Sequence, residues 1–171
     1  MNTKKILSLI LFSLFLASCA TSSSNMYIKE INNLNLFNET IKVSVIGGKQ
    51  GRVESLDYEM ALKDALLRSG LVNNLDSGSS LTLNVQILSL KEPMFGGAFT
   101  VTMRSLWILK STNCDAIRKQ ISSEYTATMS DQIIGAARLN LAVEGAVRNN
   151  IKDGMNFISL EGKKWREEQC T

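Results

Sequence analysis

Thiols and carboxylates are the side chains on which any chemistry in this chain must depend. The sequence contains three cysteines and 16 acidic residues but no histidine. Histidine is the commonest general base near neutral pH and the commonest metal ligand in proteins. Serine–histidine and cysteine–histidine nucleophile systems are therefore excluded within this chain. The sequence predicts a protein that is not an enzyme and has no cofactor or metal site.

The strongest chemical signal is Cys19, which follows a segment with the layout of a targeting sequence. A short positive region at residues 4–5 precedes an apolar run over residues 6–16. This run is too short to span a bilayer, because a spanning helix needs about 20 residues. Two small residues stand directly before Cys19, and a polar stretch follows it. The pattern is typical of a secretory signal peptide.

The segment Leu16–Cys19 resembles the lipobox of bacterial lipoproteins, whose cysteine is acylated and becomes the first residue of the mature chain. The resemblance implies removal of residues 1–18, palmitate on Cys19 and attachment to a membrane. The alternative is a signal peptide with an incidental cysteine. Ala20, rather than aspartate, follows the anchor, which favours the outer membrane and a domain facing the periplasm. We expect residues 19–40 to form the lipidated terminus and a polar tether.

The two remaining cysteines, Cys114 and Cys170, are candidates for a disulfide. With Cys19 lipidated they form an even pair in an oxidising compartment. Their bond would close a loop of roughly 57 residues, which the chain-entropy model values at about 4 kcal/mol. The alternative is two free thiols, with Cys170 in a frayed tail. The sequence favours the disulfide.

Charge and loop spacing argue against nucleic acid and nucleotide partners. The net charge of +3 includes two lysines of the targeting segment, so the remaining chain is close to neutral. A near-neutral domain gives no electrostatic reason to expect nucleic-acid binding. The glycine-containing stretch 47–52 fits neither the P-loop nor the Rossmann spacing, so it predicts a flexible turn.

Hydrophobic periodicity predicts the elements that must position these residues. Ser55 is the expected N-cap of a first helix and Gly70 its C′ residue. Ser130 or Asp131 is the expected cap of a long final helix, with a weak point at 153–154. The predicted order is strand 41–46, helix 56–69, strands 81–90, 98–110 and 117–128, and a helix from 130 to about 160.

This β-α-β-β-β-α order predicts one α+β domain over residues 41–160. We expect a two-layer sandwich with a mainly antiparallel four-stranded sheet and two helices on one face. The opposite face of the sheet should be polar, as Thr82, Asn84 and Gln86 indicate. Residues 161–171 are predicted to form a charged tail, loosely held except at its cysteine.

The helix patterns at 61–71 and 141–151, within this topology, resemble those of several small outer-membrane lipoproteins. These are the lipopolysaccharide-assembly lipoprotein, the auxiliary lipoproteins of lipid-transport ABC systems and the lipoprotein activators of peptidoglycan synthases. The resemblance covers residues 41–160 and carries no functional residue. It implies an accessory or assembly role in a cell-envelope complex, with an envelope protein as partner. The alternatives are a carrier for a small apolar ligand or lipid and, less favoured, a carboxylate-based hydrolase.

Met94, Phe95 and Phe99 are the candidate partner-contact residues. They flank a glycine pair between two predicted strands, where large apolar side chains would be wasteful if exposed. Two interpretations stay open for Met94 and Phe95. They either contact a partner or fold back to cap one end of the core.

Four acidic side chains are weaker candidates. Asp57, Glu59 and Asp64 lie on or near the first predicted helix, mostly off its apolar face, which indicates a solvated surface rather than a paired-acid site. Glu144 follows three apolar residues in the final helix. An ion pair with Arg148 at i+4 is its simpler interpretation. The alternative is a buried interaction residue.

Overall fold

The structure, a computed structural model, describes residues 21–28 and 37–170, so Cys19 and the predicted signal peptide lie outside the described residues. The helices are α1 (Ser23–Met26), α2 (Ser55–Arg68), α3 (Gly135–Phe157) and α4 (Lys163–Gln169), with a π-helical segment, Ile158–Gly162, between the last two. The strands are β1 (Phe37–Ile46), β2 (Lys49–Gln50), β3 (Val53–Glu54), β4 (Val72–Leu75), β5 (Thr82–Lys91), β6 (Phe99–Ser111) and β7 (Cys114–Ala127).

Five strands form one mixed sheet in the order β4-β1-β5-β6-β7, and β2 and β3 form a separate small hairpin. β1 runs parallel to β4 and β5, whereas β5, β6 and β7 are successively antiparallel. The predicted α+β class is confirmed, but the sheet has a fifth strand. Sequence reasoning missed β4 because Asn73 and Asn74 have low strand propensity. Parallel pairing with β1 supplies the hydrogen bonds that their side chains do not predict.

Both long helices pack on the same face of the sheet, and the core lies between these two layers. The amphipathic pattern produces this arrangement, because each helix buries one apolar stripe. Fully buried core residues come from every layer: Tyr58, Leu62 and Leu66 of α2, Leu83 and Val85 of β5, Met103, Trp107 and Leu109 of β6, and Val143, Val147 and Ile151 of α3.

The first helix ends as predicted, whereas the final helix begins later. Gly70 follows α2 with a φ of 66°, and its N–H donates to the carbonyl of Leu67 at 3.1 Å. The predicted capping of α3 by Ser130 or Asp131 is wrong, since α3 begins at Gly135. Asp131 instead accepts hydrogen bonds within the preceding turn, so its side chain does not cap the helix.

α3 crosses the sheet at very close range. A methyl group on Gly145 would overlap the ring of Tyr125, and one on Gly154 would overlap Trp107. The predicted weak point at 153–154 is therefore wrong, because the missing side chain of Gly154 permits the closest packing and the helix continues. The carrier interpretation requires a continuous cavity between α3 and the sheet. At both glycines the helix instead packs directly against an aromatic ring.

The carboxyl-terminal segment is helical rather than a loose tail. Trp165 of α4 is buried, and its Nε1 donates to the carbonyl of Asp115 at 2.6 Å. Cys114 and Cys170 form the expected disulfide, with their Cα atoms 5.2 Å apart. We call this end of the sheet the disulfide end. Among the described residues, no helix combines the length and hydropathy that crossing a membrane would take.

Candidate contact site at the loop end

Two loops meet at the opposite end of the sheet, which we call the loop end. One is the β5–β6 loop, residues 92–98, and the other is the β7–α3 segment, residues 128–134. The first residue of β6 pairs with the last residue of β7, so both loops leave the sheet side by side. A methyl group on Gly97 would lie 3.8 Å from the sulfur of Met129, which shows that the loops are neighbours.

The three predicted contact residues divide into two groups. Met94 and Phe95 are 83% and 86% exposed. Phe99 is only 9% exposed, and its ring centroid lies 4.9 Å from the guanidinium carbon of Arg138. The interpretation that Met94 and Phe95 cap the core is therefore wrong. Phe99 belongs to the core and is not available at the surface.

The neighbouring loop adds three exposed apolar side chains that sequence reasoning did not select. Ile133 is 82% exposed, and Met129 and Ile134 are also exposed. Ile134 falls within the predicted final helix, which was expected to begin near residue 130, but α3 begins only at Gly135. The adjacent isoleucines next to a turn were the available signal. We call the five exposed side chains the apolar tip: Met94, Phe95, Met129, Ile133 and Ile134.

Arg138 connects the β7–α3 segment to the start of β6. Its guanidinium donates to the carbonyls of Gln132 and Ile133 at 2.8 and 3.2 Å and stacks on Phe99 of β6. The Arg138 side chain is buried and its two hydrogen bonds are partly buried, so solvent competes with them less than at the surface. The backbone that carries Ile133 is therefore tied to the start of β6.

A short polar turn fixes the outer part of the second loop. The backbone N–H and the hydroxyl of Thr128 each donate to the carboxylate of Asp131 at 2.8 Å. These hydrogen bonds, the backbone one first, lower the pKa of Asp131 below its ordinary value. The charged form of Asp131 therefore favours the folded turn.

Arg52, at the hairpin β2–β3, connects the loop end to the start of the described chain. Its Nε and backbone N–H donate to the carboxylate of Glu92 at 3.2 and 3.1 Å, and Glu92 begins the β5–β6 loop. Its Nη1 donates to the side-chain carbonyl of Asn140 at 3.2 Å, in the second turn of α3. Its own carbonyl accepts from the hydroxyl of Thr21 at 2.5 Å. Thr21 is thus held at the loop end.

The described amino-terminal segment packs on the domain instead of forming a free tether. Met26 is fully buried. The carboxylate of Glu144 accepts from the side-chain amide of Asn25 at 3.1 Å and from the N–H of Ser22 at 3.4 Å. Arg148 donates to the carbonyl of Asn25. Glu144 therefore matches the alternative interpretation, a buried interaction residue, and its partner is the amino-terminal segment rather than Arg148.

A groove of about 600 Å³ lies between this segment and α3. Its lining combines Tyr27, Leu141, Asn149 and Lys152 with the Glu144 and Arg148 contacts already described. The carboxylate and the guanidinium both bind the amino-terminal segment. The groove is therefore part of the surface on which the amino-terminal segment packs.

The acidic residues of α2 do not form a paired-acid site. Glu59 accepts from the backbone N–H of Val45 at 3.2 Å and forms an ion pair with Lys63. Asp64 forms an ion pair with Arg68 at 3.4 Å. Across residues 21–28 and 37–170, no group of three or more acidic or cysteine side chains could hold a metal ion.

A buried hydrogen-bond network joins α2, α3 and β6. The hydroxyls of Tyr58 and Ser105 donate to the side-chain carbonyl of Asn150 at 2.8 and 2.6 Å. Trp107 donates from Nε1 to the hydroxyl of Ser105 at 3.0 Å. Burial raises the pKa of Tyr58 well above its ordinary value, so the phenol stays neutral. The network holds the helices against the sheet, and its buried groups cannot contact a substrate.

No protein-family model matches the sequence, and neither does any curated protein. The fold does match solved structures. A DUF330 protein from Xanthomonas campestris is 10% identical with a TM-score of 0.59, and the match covers 81% of this chain and 92% of that one.

Two further neighbours share the fold at similar distance. A minor lipoprotein from Acinetobacter baumannii is 10% identical with a TM-score of 0.53, over 74% of this chain and 95% of that one. Rare lipoprotein B from Shewanella oneidensis is also 10% identical with a TM-score of 0.53, over 74% and 98%. The chain therefore has structural neighbours among small bacterial lipoproteins, as its pattern predicted, and at this identity the likeness concerns the fold.

Proposed function

We propose that this protein is an outer-membrane lipoprotein, acylated on Cys19 and facing the periplasm, that acts as a non-enzymatic accessory factor of an envelope complex. The lipobox-like segment before Cys19 supports the anchor, and Ala20 supports the outer membrane. The fold shared with a minor lipoprotein and with rare lipoprotein B supports the class. Met94 and Phe95 act as contact residues, whereas the buried Phe99 supports the core.

The observation that carries the accessory role is the face of the sheet opposite α2 and α3. Leu106 and Ile108 of β6 lie half-buried in the middle of this face. Polar residues flank them in register: Asn84 and Gln86 on β5, Arg118 and Gln120 on β7. An apolar centre with a polar rim is the usual anatomy of a protein-binding surface. We define this platform by Leu106, Ile108 and those four polar neighbours.

Two observations favour a binding role over the alternatives. Glu59 and Asp64 are engaged in helix ion pairs rather than facing each other across a cleft, which argues against a carboxylate-based hydrolase. Gly145 and Gly154 bring α3 against the rings of the sheet, which argues against an apolar ligand stored between the layers.

Labelled palmitate tests the anchor. Cells that express the full chain should incorporate the label, and Cys19→Ser should abolish incorporation. The pair Cys114 and Cys170 is already disulfide-bonded, so those sulfurs do not compete for acylation. Label retained by Cys19→Ser, or a mature chain that begins at another residue, would refute the proposed anchor.

Site-specific photocrosslinking in intact cells tests the platform. Crosslinkers placed at Gln86 and at Gln120 should capture the same envelope protein, because both side chains flank Leu106. Leu106→Arg should abolish both crosslinks while leaving the circular dichroism spectrum unchanged. Glu167→Arg, at an exposed position of α4, is the matched control and should retain them. Capture that survives Leu106→Arg would rule out the platform as the binding surface.

A further inference from the structure

We propose that the apolar tip is a membrane contact: it enters the headgroup region of the same bilayer that holds the lipid on Cys19. The ligand is the lipid surface itself. This inference rests on the proposed acylation of Cys19 and goes beyond it, because it assigns an orientation and a second, non-covalent attachment. The other possible occupant, a second copy of the chain, is an outcome of the test below.

The position of the chain start carries the argument. Cys19 precedes Thr21 by two residues, and two extended residues span at most about 7 Å. Thr21 donates to the carbonyl of Arg52, and Arg52 binds Glu92 at the base of the loop that holds Met94 and Phe95. Acyl chains on Cys19 must therefore enter the bilayer beside the loop end.

The direction of the amino-terminal segment agrees with this placement. From Thr21 the chain passes along α3, where Asn25 contacts Glu144 and Arg148. It then reaches the last turn of α2, where the carbonyl of Ile28 accepts from Arg68 at 2.7 Å. The segment therefore runs from the loop end toward the disulfide end. The lipid lies at the former.

The tip has the composition of a membrane-contact surface. Five large apolar side chains on two adjacent loops are exposed together. Phe99, close to them in sequence, is buried in the core instead. Exposed apolar clusters mark interaction sites, and side chains of this type bind at the boundary between headgroups and acyl chains. The Arg138 contacts to Gln132 and Ile133 hold the second loop in place before any contact forms.

Charges around the tip limit how deeply it can enter. Lys91 and Asp131 are exposed next to the tip, and Glu92 is paired with Arg52. Charged groups avoid the hydrocarbon core, so these residues hold the contact at headgroup depth. None of the five tip residues is charged, and we therefore expect the contact to form on a purely zwitterionic membrane.

A tryptophan reporter tests the orientation. The full chain carrying Phe95→Trp is purified from cells and reconstituted into phosphatidylcholine vesicles with brominated acyl chains. Its matched control is Leu160→Trp, since Leu160 is exposed in the π-helical segment toward the disulfide end. The native Trp107 and Trp165 are buried and give the same background in both variants.

We expect the emission of the reporter at position 95 to shift to the blue and to be quenched by bromine. The reporter at position 160 should keep the emission and the quenching of a water-exposed indole. Met129→Trp, on the other loop, should behave like Phe95→Trp, and this agreement excludes a local effect of one new indole. Equal quenching at positions 95 and 160, or none at either, would overturn the membrane contact.

Two further readings separate this inference from the proposed anchor. Mass spectrometry of the same sample reports whether Cys19 is acylated. If it is not, the proposed anchor fails, and the free Cys19 thiol is coupled to a maleimide phospholipid so that the orientation is still measured. A blue shift that grows with protein density and is insensitive to bromine would mean that a second copy covers the tip, and would overturn the proposal.

Discussion

The two ends of the sheet differ in how their apolar side chains are used. At the disulfide end, Trp165 is buried and the last described residue, Cys170, is bonded covalently to Cys114. At the loop end, Phe95 and Ile133 are more than four-fifths exposed, although hydrogen bonds from Arg138 hold the backbone at Ile133. At the disulfide end a large apolar side chain is buried and stabilises the fold, whereas at the loop end apolar side chains stay exposed and can contact another surface.

This difference separates stability from contact along the length of one domain. Burial of an apolar side chain stabilises the fold, whereas an exposed one contributes to binding only when something covers it. Substitutions at the disulfide end should therefore change the free energy of unfolding. Substitutions in the apolar tip should change attachment with little effect on unfolding.

Loss of the disulfide should produce the largest effect on stability. Replacement of both Cys114 and Cys170 by serine should lower the free energy of unfolding by about 4 kcal/mol, because the unfolded chain regains the entropy of a long loop. Urea unfolding followed by circular dichroism measures the change. Wild-type protein unfolded with a reductant present is the control and should match the double variant. A loss below about 1 kcal/mol would contradict the value that the chain-entropy model gives for this loop.

Phe95 and Phe99 offer a matched pair within one end of the sheet. Phe99→Ala should cost about 3 kcal/mol, because it removes a buried ring and its contact with Arg138. Phe95→Ala should change stability by less than about 0.5 kcal/mol, since its ring is exposed. Thermal and urea unfolding of both variants measure the difference. Equal costs for the two rings would remove the distinction between tip and core.

The sequence predicted the fold well where local pattern and tertiary packing agree. The strands around Val43, Val85 and Leu109 alternate in sequence and in burial, so their strand state could be predicted. β4 was not readable, because Asn73 and Asn74 are extended only through pairing with β1. The late start of α3 was missed because Asp131 looks like a cap and is used in its own turn.

The candidate site was only partly predictable for a related reason. Exposure of Met94 and Phe95 is a tertiary property, and the sequence therefore left both contact and capping open. Ile133 and Ile134 join the same tip only because β6 and β7 pair at their loop ends. Arg52 could not be foreseen as the link to Thr21, since the two residues are joined by a single side chain to backbone hydrogen bond.

The smallest expected effect concerns the turn that shapes the outer loop of the tip. Hydrogen bonds from Thr128 lower the pKa of Asp131, so the turn is stabilised above the unfolded pKa and loses that contribution as pH falls through the lower folded value. Thr128→Val removes the hydroxyl donor but keeps the backbone one, and should therefore raise the pKa of Asp131 only part of the way to its ordinary 3.8. Carboxyl NMR titration measures both values. If the pKa of Asp131 in wild-type protein lies at or above its ordinary value, the turn at Thr128 and Asp131 is not held by these hydrogen bonds. The loop end would then be less rigid than the structure indicates, and it would differ even more from the disulfide end.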